Sequence, residues 1–355
     1  MTYLGECYNS TVNVRKHSYR FSKYLKGLTC VPRLKNYSPR KTTLGGWSNR
    51  DKLDGYGVRA WLPPDLWNVS HPEKPDALHQ MFVDAGADII LTNTFGTNGP
   101  RLKLHKAENE TYEINKAGAE VAGKVAQRAD RPVVVAGTVG PTGELFEPMG
   151  EMTMESAKAA FHEQMRGLKD GGADVIWIET MSAAEEITAA CEAAIELDMP
   201  FVFKASFDTA GKTMMGIAPG EIRNVATALS VKPLAYGANC GVGASDMLVS
   251  NLAMTKADPE AVIVAKVNCG IPVIKGKEAD FMRMAADSGV RIIGGCCGNA
   301  PEHIAAMRVA MDNYEASKRL TLEEVTTKIG ELVSPPTSAE AANRVKDRNA
   351  RRRRS

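Results

Sequence analysis

From residue 82 onward, short runs of β-branched and apolar residues alternate with longer amphipathic stretches, and this rhythm constrains the fold more than any other feature of the chain. The runs are 89–95 (IILTNTF), 133–139 (VVVAGTV), 175–180 (VIWIET), 201–207 (FVFKASF), 234–240 (LAYGANC), 261–269 (AVIVAKVNC) and 290–297 (VRIIGGCC). Each has the length of a strand, and each is followed by a helix-compatible segment such as 154–170, 183–197, 220–229 or 301–319. Near-continuous apolar strands alternating with helices imply a parallel sheet covered on both faces. Seven such units with one more upstream predict an α/β chain forming a single (β/α)8 TIM barrel. Repeated phrases mark the helix-to-strand turns: Ala85-Gly86-Ala87-Asp88, Gly171-Gly172-Ala173-Asp174 and a looser Ser288-Gly289-Val290-Arg291. In each the glycine accepts left-handed C-cap geometry.

The ends depart from this rhythm. Residues 1–60 are basic and weakly periodic, and the first strand is expected just before residue 65, best placed at 52–59 (KLDGYGVR). The expected division is an atypical basic N-terminal segment at 1–50, a barrel at 51–320, and at 321–355 a C-terminal helix with a disordered basic tail. Residues 1–50 carry +9 and residues 341–355 carry +6, so the overall +2 conceals a body of −13. A tail ending in Arg351-Arg352-Arg353-Arg354 reads as solvated and disordered. No zinc-finger or RNA-recognition signature supports nucleic acid as a partner. No apolar run reaches the roughly 20 residues that span a bilayer, and no apolar stretch follows the N-terminal basic residues as in a secretory signal. Seven cysteines, two of them adjacent, argue against a disulfide scaffold and for a reducing, cytoplasmic compartment with metal or thiol chemistry.

Catalytic groups of a parallel barrel stand where its strands end. One strand ends in Asn239-Cys240-Gly241 and the last in Gly294-Gly295-Cys296-Cys297-Gly298, so three cysteines meet at one rim. Three thiolates suit Zn²⁺ and leave its fourth position open, as catalytic rather than structural sites do. Flanking glycines are expected to let adjacent cysteines turn toward one metal, which strand alternation otherwise forbids. A single strand cysteine is more often a buried core thiol, and Cys191, within a helix, reads that way. Cys7 and Cys30 fall in the atypical segment, and Cys269 reads as a loop residue. A three-cysteine zinc site carries net −1, which makes it a weak Lewis acid and favours alkyl transfer to sulfur. Activation of water is the competing chemistry; it needs a general base, but no histidine ends a strand and His303 sits on the following helix.

The sequence between about residues 65 and 311 resembles the homocysteine S-methyltransferase family, which includes betaine–homocysteine methyltransferases and the homocysteine-binding module of cobalamin-dependent methionine synthase. The resemblance rests on Asp65-Leu66-Trp67-Asn68, Thr92-Asn93-Thr94-Phe95-Gly96, Gly140-Pro141-Thr142-Gly143-Glu144-Leu145, Glu179-Thr180-Met181-Ser182, Asn239-Cys240 and Gly294–Gly298. It implies a (β/α)8 barrel in which Cys240, Cys296 and Cys297 hold zinc and homocysteine sulfur completes the tetrahedron. It implies that Glu179 holds the amino-acid end of homocysteine, and a carboxylate ending a strand can pair with an ammonium. A helix-N-terminal acid is the other reading of Glu179. Asn93, Thr94 and Phe95 are expected to line the same mouth. Asn268, with Gly270 and Pro272, resembles a loop of the methionine-synthase branch that could bind a substrate carboxylate, although a plain turn fits it nearly as well. The family opens with a strand ending in Asp-Gly whose Asp contacts homocysteine; this chain offers Asp54-Gly55-Tyr56-Gly57 there, so Asp54 is the candidate for that role.

The methyl donor is betaine or methylcobalamin. Betaine calls for an aromatic cation–π cage, but Phe95 is followed by Gly96-Thr97-Asn98, as in the methionine-synthase branch. The recognisable barrel holds only Trp67 and Trp177 as tryptophans. Methylcobalamin would have to arrive on a separate corrinoid protein. The expected function is zinc-dependent methylation of homocysteine to methionine. The opposing reading is a non-catalytic zinc- or thiol-binding barrel disabled by its altered N-terminus.

Overall fold

The structure, a computed structural model, describes residues 64–268 and 278–336 and the backbone of residues 28–30. The expected strand at 52–59, Asp54, Cys269 and the basic tail lie outside the described residues. Seven strands form one parallel sheet curled about its own axis in chain order: β2 (Ile89–Leu91), β3 (Val134–Val139), β4 (Val175–Met181), β5 (Phe201–Ala205), β6 (Ala235–Cys240), β7 (Ile263–Val267) and β8 (Ile292–Gly295). Leu28–Cys30 (β1) pairs in parallel with β8, Leu28 opposite Ile292, and Cys30 lies opposite Ile89 of β2. All seven predicted runs are thus strands, six of them trimmed and the one at 175–180 extended to Met181.

The helices that follow the strands coat the outside. They are α1 (Glu73–Asp84), α2 (Thr111–Arg128), α3 (Met154–Asp170), α4 (Ala184–Glu196), α5 (Ile222–Ala228), α6 (Ala244–Ala257), α7 (Glu278–Asp287), α8 (Pro301–Asp312) and α9 (Leu322–Lys328). Local chemistry sets their starts. Thr153 Oγ1 accepts from Ser156 N at 3.1 Å and Ser156 Oγ accepts from Thr153 N at 3.0 Å, a reciprocal cap that opens α3 where the sequence predicts it. The turn glycines Gly86, Gly172 and Gly289 have φ of 96°, 91° and 92°, the left-handed geometry expected of them. The helix predicted over 301–319 stops at Asp312. Beyond it Asp287 accepts hydrogen bonds from the Tyr314 hydroxyl and from Ser317 N, so tertiary partners replace helical ones.

Strand alternation separates two packing layers. Ile90, Val135, Ile176, Ile178, Phe201 and Phe203 pack outward beneath the helices. Ile89, Leu91, Val134, Ala136, Val175, Trp177, Val202, Ala235, Val264 and Ile292 form a separate apolar cluster enclosed by the sheet. Continuing that inward register toward the carboxyl ends of the strands, the residues become polar: Glu179 on β4, Lys204 on β5, Asn239 on β6 and Lys266 on β7. All four are fully buried. Along the inner face of these strands, charge and amides therefore gather at the carboxyl pole.

Candidate metal centre

Cys240 ends β6 with φ of 62°, a left-handed conformation uncommon outside glycine. It breaks the alternation, so Asn239 and Cys240, neighbours in sequence, both serve the same rim. Cys296 and Cys297 follow the last residue of β8. Cys240 Sγ and Cys297 Sγ are 3.7 Å apart, and all three sulfurs lie within 4.8 Å of one another. A tetrahedral zinc with Zn–S bonds of about 2.3 Å needs sulfurs about 3.8 Å apart, so the donor set fits that ion. None of the three is in a disulfide; Cys296 is buried, and the other two are half-buried. Proton sharing with Cys240 and Cys296 pushes the Cys297 thiol well above the ordinary cysteine range. Cys240 is also raised, first by its hydrogen bond with Cys296. Three thiols this close ionise together only beside a cation.

Amides brace the cysteines. Asn268 Oδ1 accepts from Cys297 N at 2.9 Å, while its Nδ2 donates to Gly241 O at 2.9 Å and to Cys240 Sγ at 3.6 Å. Asn239 Nδ2 donates to Cys296 Sγ at 3.6 Å. Cys296 N and Asn299 Nδ2 both donate to Val267 O, at 2.7 and 2.8 Å. Gly295 admits Asn299: a Cβ there would sit 2.3 Å from Asn299 Cγ. The glycine before the pair thus makes room for a bracing side chain rather than merely loosening the strand, and at Cys240 the cysteine itself takes the unusual φ.

The other predicted residues divide. Glu179 is fully buried, with Lys266 Nζ 2.6 Å and Lys204 Nζ 3.9 Å from its Oε2. It stands within β4 rather than at a helix end, as the anion of a buried ion cluster. Lys204 Nζ also lies 4.0 Å from the centre of the Trp177 ring, which is itself fully buried. Asn93 donates to Pro64 O at 2.7 Å and to Asn68 Oδ1 at 3.1 Å, pinning the segment ahead of α1. Thr94 turns outward: its Oγ1 donates to Thr138 O at 2.8 Å, and its carbonyl accepts from Gln164 of α3 at 2.8 Å. That places Thr94 between sheet and helices, away from the sulfurs. Phe95 O accepts from Gly140 N at 3.1 Å. His303 Nδ1 accepts from Ala300 N at 2.8 Å and caps α8. Cys191 is a buried core thiol whose pKa burial drives up, as its helical setting predicts.

The sequence profile of the homocysteine S-methyltransferase family matches residues 46–311, most of the chain. The chain belongs to this family. The match takes in Asp54, upstream of residue 65 where the motif resemblance begins. Among curated relatives, methionine synthase of Mycobacterium tuberculosis is 26% identical over 275 residues, 72% of this chain and 23% of that protein. Methionine synthase of Mycobacterium leprae is 26% identical over 270 residues, 70% of this chain and 22% of its own. The chain thus spans about a quarter of the length of these relatives. In fold it is similar to the homocysteine methyltransferase MmuM of Escherichia coli in its metallated form, with TM-score 0.65, 20% identity, and 82% of this chain and 98% of that one covered.

Within this family member, sequence reasoning passed over Lys204, Lys266 and Asn239. The two lysines had a signal: each is the one charge inside an otherwise apolar strand, FVFKA and AVIVAKV. A lone charge facing the interior of a sheet demands a buried partner. Asn239 stood beside a predicted ligand but carried no spacing cue of its own.

Proposed function

We propose that this chain is a zinc enzyme that methylates the sulfur of homocysteine to give methionine, its metal held by Cys240, Cys296 and Cys297. The observation that carries the reading is the convergence of these three sulfurs within 4.8 Å at the carboxyl ends of β6 and β8. Zinc bound there lowers the pKa of a substrate thiol and so makes a nucleophile available at neutral pH. The chain's own groups orient and shield. Asn268 and Asn239 donate to the metal-binding sulfurs and hold their loops in place. Glu179, beside that rim on β4, is the group proposed to take the ammonium of homocysteine, exchanging part of its pairing with Lys266 for the substrate. Asn268 is proposed to act on substrate through the cysteine loops it joins, and Asn93 and Phe95 through the segments they fix. Asp54 keeps its proposed homocysteine contact.

The full architecture we propose is the closed eight-stranded (β/α)8 barrel. The pairing of Leu28–Cys30 with β8 on one side and β2 on the other supports it. A cytoplasmic setting is consistent with the free thiols, and no helix among the described residues is long and apolar enough to cross a membrane.

For the donor, methylcobalamin carried by a separate corrinoid protein is favoured over betaine. Trp177 is sealed beneath Lys204 inside the sheet and is withdrawn from any aromatic cage. The deciding experiment is methionine formation by zinc-loaded protein and homocysteine, with methylcobalamin and betaine in parallel. Turnover with methylcobalamin supports the reading, and turnover with betaine alone reverses the donor assignment. Zinc and homocysteine binding without turnover from any donor would favour the non-catalytic barrel.

A further inference from the structure

Asn239 lies on the inward face of β6 and is fully buried. Its partners are not those of an ordinary ladder. The register of β4 against β5 slips between Ile178 and Met181, and within the slip Thr180 takes φ of 63°. For a β-branched residue that conformation is a genuine outlier, held only where its surroundings over-determine it. Thr180 N donates to Asn239 Oδ1 at 2.8 Å, and Asn239 Nδ2 donates back to Thr180 Oγ1 at 2.8 Å. The same Nδ2 donates to Cys296 Sγ at 3.6 Å. Both N–H groups of the amide are therefore committed, one to each side. A flipped amide would set N–H against N–H at Thr180, so the orientation is fixed by its partners. Because β5 runs between β4 and β6, the link passes through the interior of the sheet rather than along it.

We propose that Asn239 is a positioning residue that couples the strand end carrying Glu179 to the strand end carrying Cys296. Its carbonyl oxygen holds Thr180 in the left-handed conformation and thereby sets where Glu179 stands. Its NH₂ group orients the Cys296 sulfur and moderates its charge. Two substitutions separate these roles: aspartate offers the acceptor without a donor, and alanine offers neither. The inference rests on the zinc reading above for the metal half of the coupling, and on the proposed role of Glu179 for the substrate half.

The test uses the full chain as wild type, Asn239→Asp, Asn239→Ala and Asn239→Ala/Thr180→Gly. Three quantities are read: hydrogen exchange at the Thr180 amide without metal, zinc affinity by competition with a chromogenic chelator, and KM for homocysteine separately from kcat. Cobalt substitution adds the thiolate charge-transfer band. Asn239→Asp is expected to keep Thr180 protected, to weaken zinc at least tenfold and to shift the cobalt band. Asn239→Ala is expected to lose Thr180 protection at least tenfold and to raise KM at least tenfold. Glycine at position 180 accepts the φ unaided, so the double variant is expected to recover KM to within threefold while zinc stays weak. Zinc affinity within threefold of wild type in Asn239→Asp, or unchanged Thr180 exchange in Asn239→Ala, overturns the coupling. A wild-type protein that takes up no zinc would refute the zinc reading and, with it, the metal half of this proposal. The Thr180 exchange result separates that outcome from failure of the strand-end link itself.

Discussion

The two poles of the sheet are built from the same strands and solve different problems. At the amino-terminal pole, the glycine turns feed Asp88 into an ion cluster. Arg131 Nη1 lies 3.2 Å from Asp88 Oδ1, Arg308 pairs with Asp88 Oδ2, and Arg308 Nε donates to Gly86 O at 3.1 Å. These groups are partly exposed, and they tie α8 to the turn before β2. At the carboxyl pole the inward-facing charges Glu179, Lys204 and Lys266 are fully buried, the strand residues Thr180 and Cys240 adopt left-handed φ, and three thiols crowd within 4.8 Å. The first pole spends little and holds the chain together. The second concentrates strained and buried charged features of the kind that cluster at functional sites.

That contrast can be broken in graded ways. The largest effect is expected for Cys296→Ala, which should abolish zinc retention and turnover while leaving the urea midpoint close to that of the metal-free wild type. Metal analysis after gel filtration checks it, and full activity in that variant would refute the site. Next is Lys266→Met, which strips the close cation from Glu179. Removing one partner of a buried pair costs about 3–5 kcal/mol, so urea unfolding should show a loss of that order, and Lys204→Met/Lys266→Met/Glu179→Leu, which removes all three charges of the cluster, should recover most of it. A single-variant loss below about 1 kcal/mol would mean the cluster is not the closed unit its burial indicates.

The helical coat supplies an effect of pH. His79 of α1 is buried, and desolvation lowers its pKa from 6.5 to about 4. The folded pKa is depressed, so the unfolded chain takes up the proton first. Stability is full above pH 6.5 and falls as pH drops toward 4, by about 3 kcal/mol in all. Urea midpoints at pH 7, 5.5 and 4.5 should follow this slope, and His79→Leu should flatten it. The smallest effect is expected at the amino-terminal pole: Arg308→Ala should cost about 1 kcal/mol and leave zinc affinity and homocysteine KM unchanged. A shift in either ligand constant would show that the poles are not independent.

Much of this molecule is legible in its residues because the signals are local. The apolar runs, the glycine turns and the Thr153 cap are each read within a few positions. The cysteine set was legible for a related reason: in a parallel sheet, every strand's carboxyl end must reach the same rim. Less legible were the residues whose meaning depends on curvature. Thr94 and Asn93 are neighbours in a motif, yet Thr94 bonds to β3 and α3 while Asn93 bonds to the segment ahead of α1, and both lie beyond Leu91, where β2 stops. The helix predicted to 319 ended early because Asp287, 27 residues before Tyr314, offered better partners than the helix could.

By itself, then, the sequence determined an α/β parallel architecture, the pole that carries the chemistry and the three sulfurs that meet there, since alternation and strand-end position are properties of short segments. Tertiary structure alone decided the partners of Glu179 and the crossing of Asn239 to Thr180 and Cys296. Those choices depend on which strands face one another across the curled sheet, and no local pattern encodes that distance.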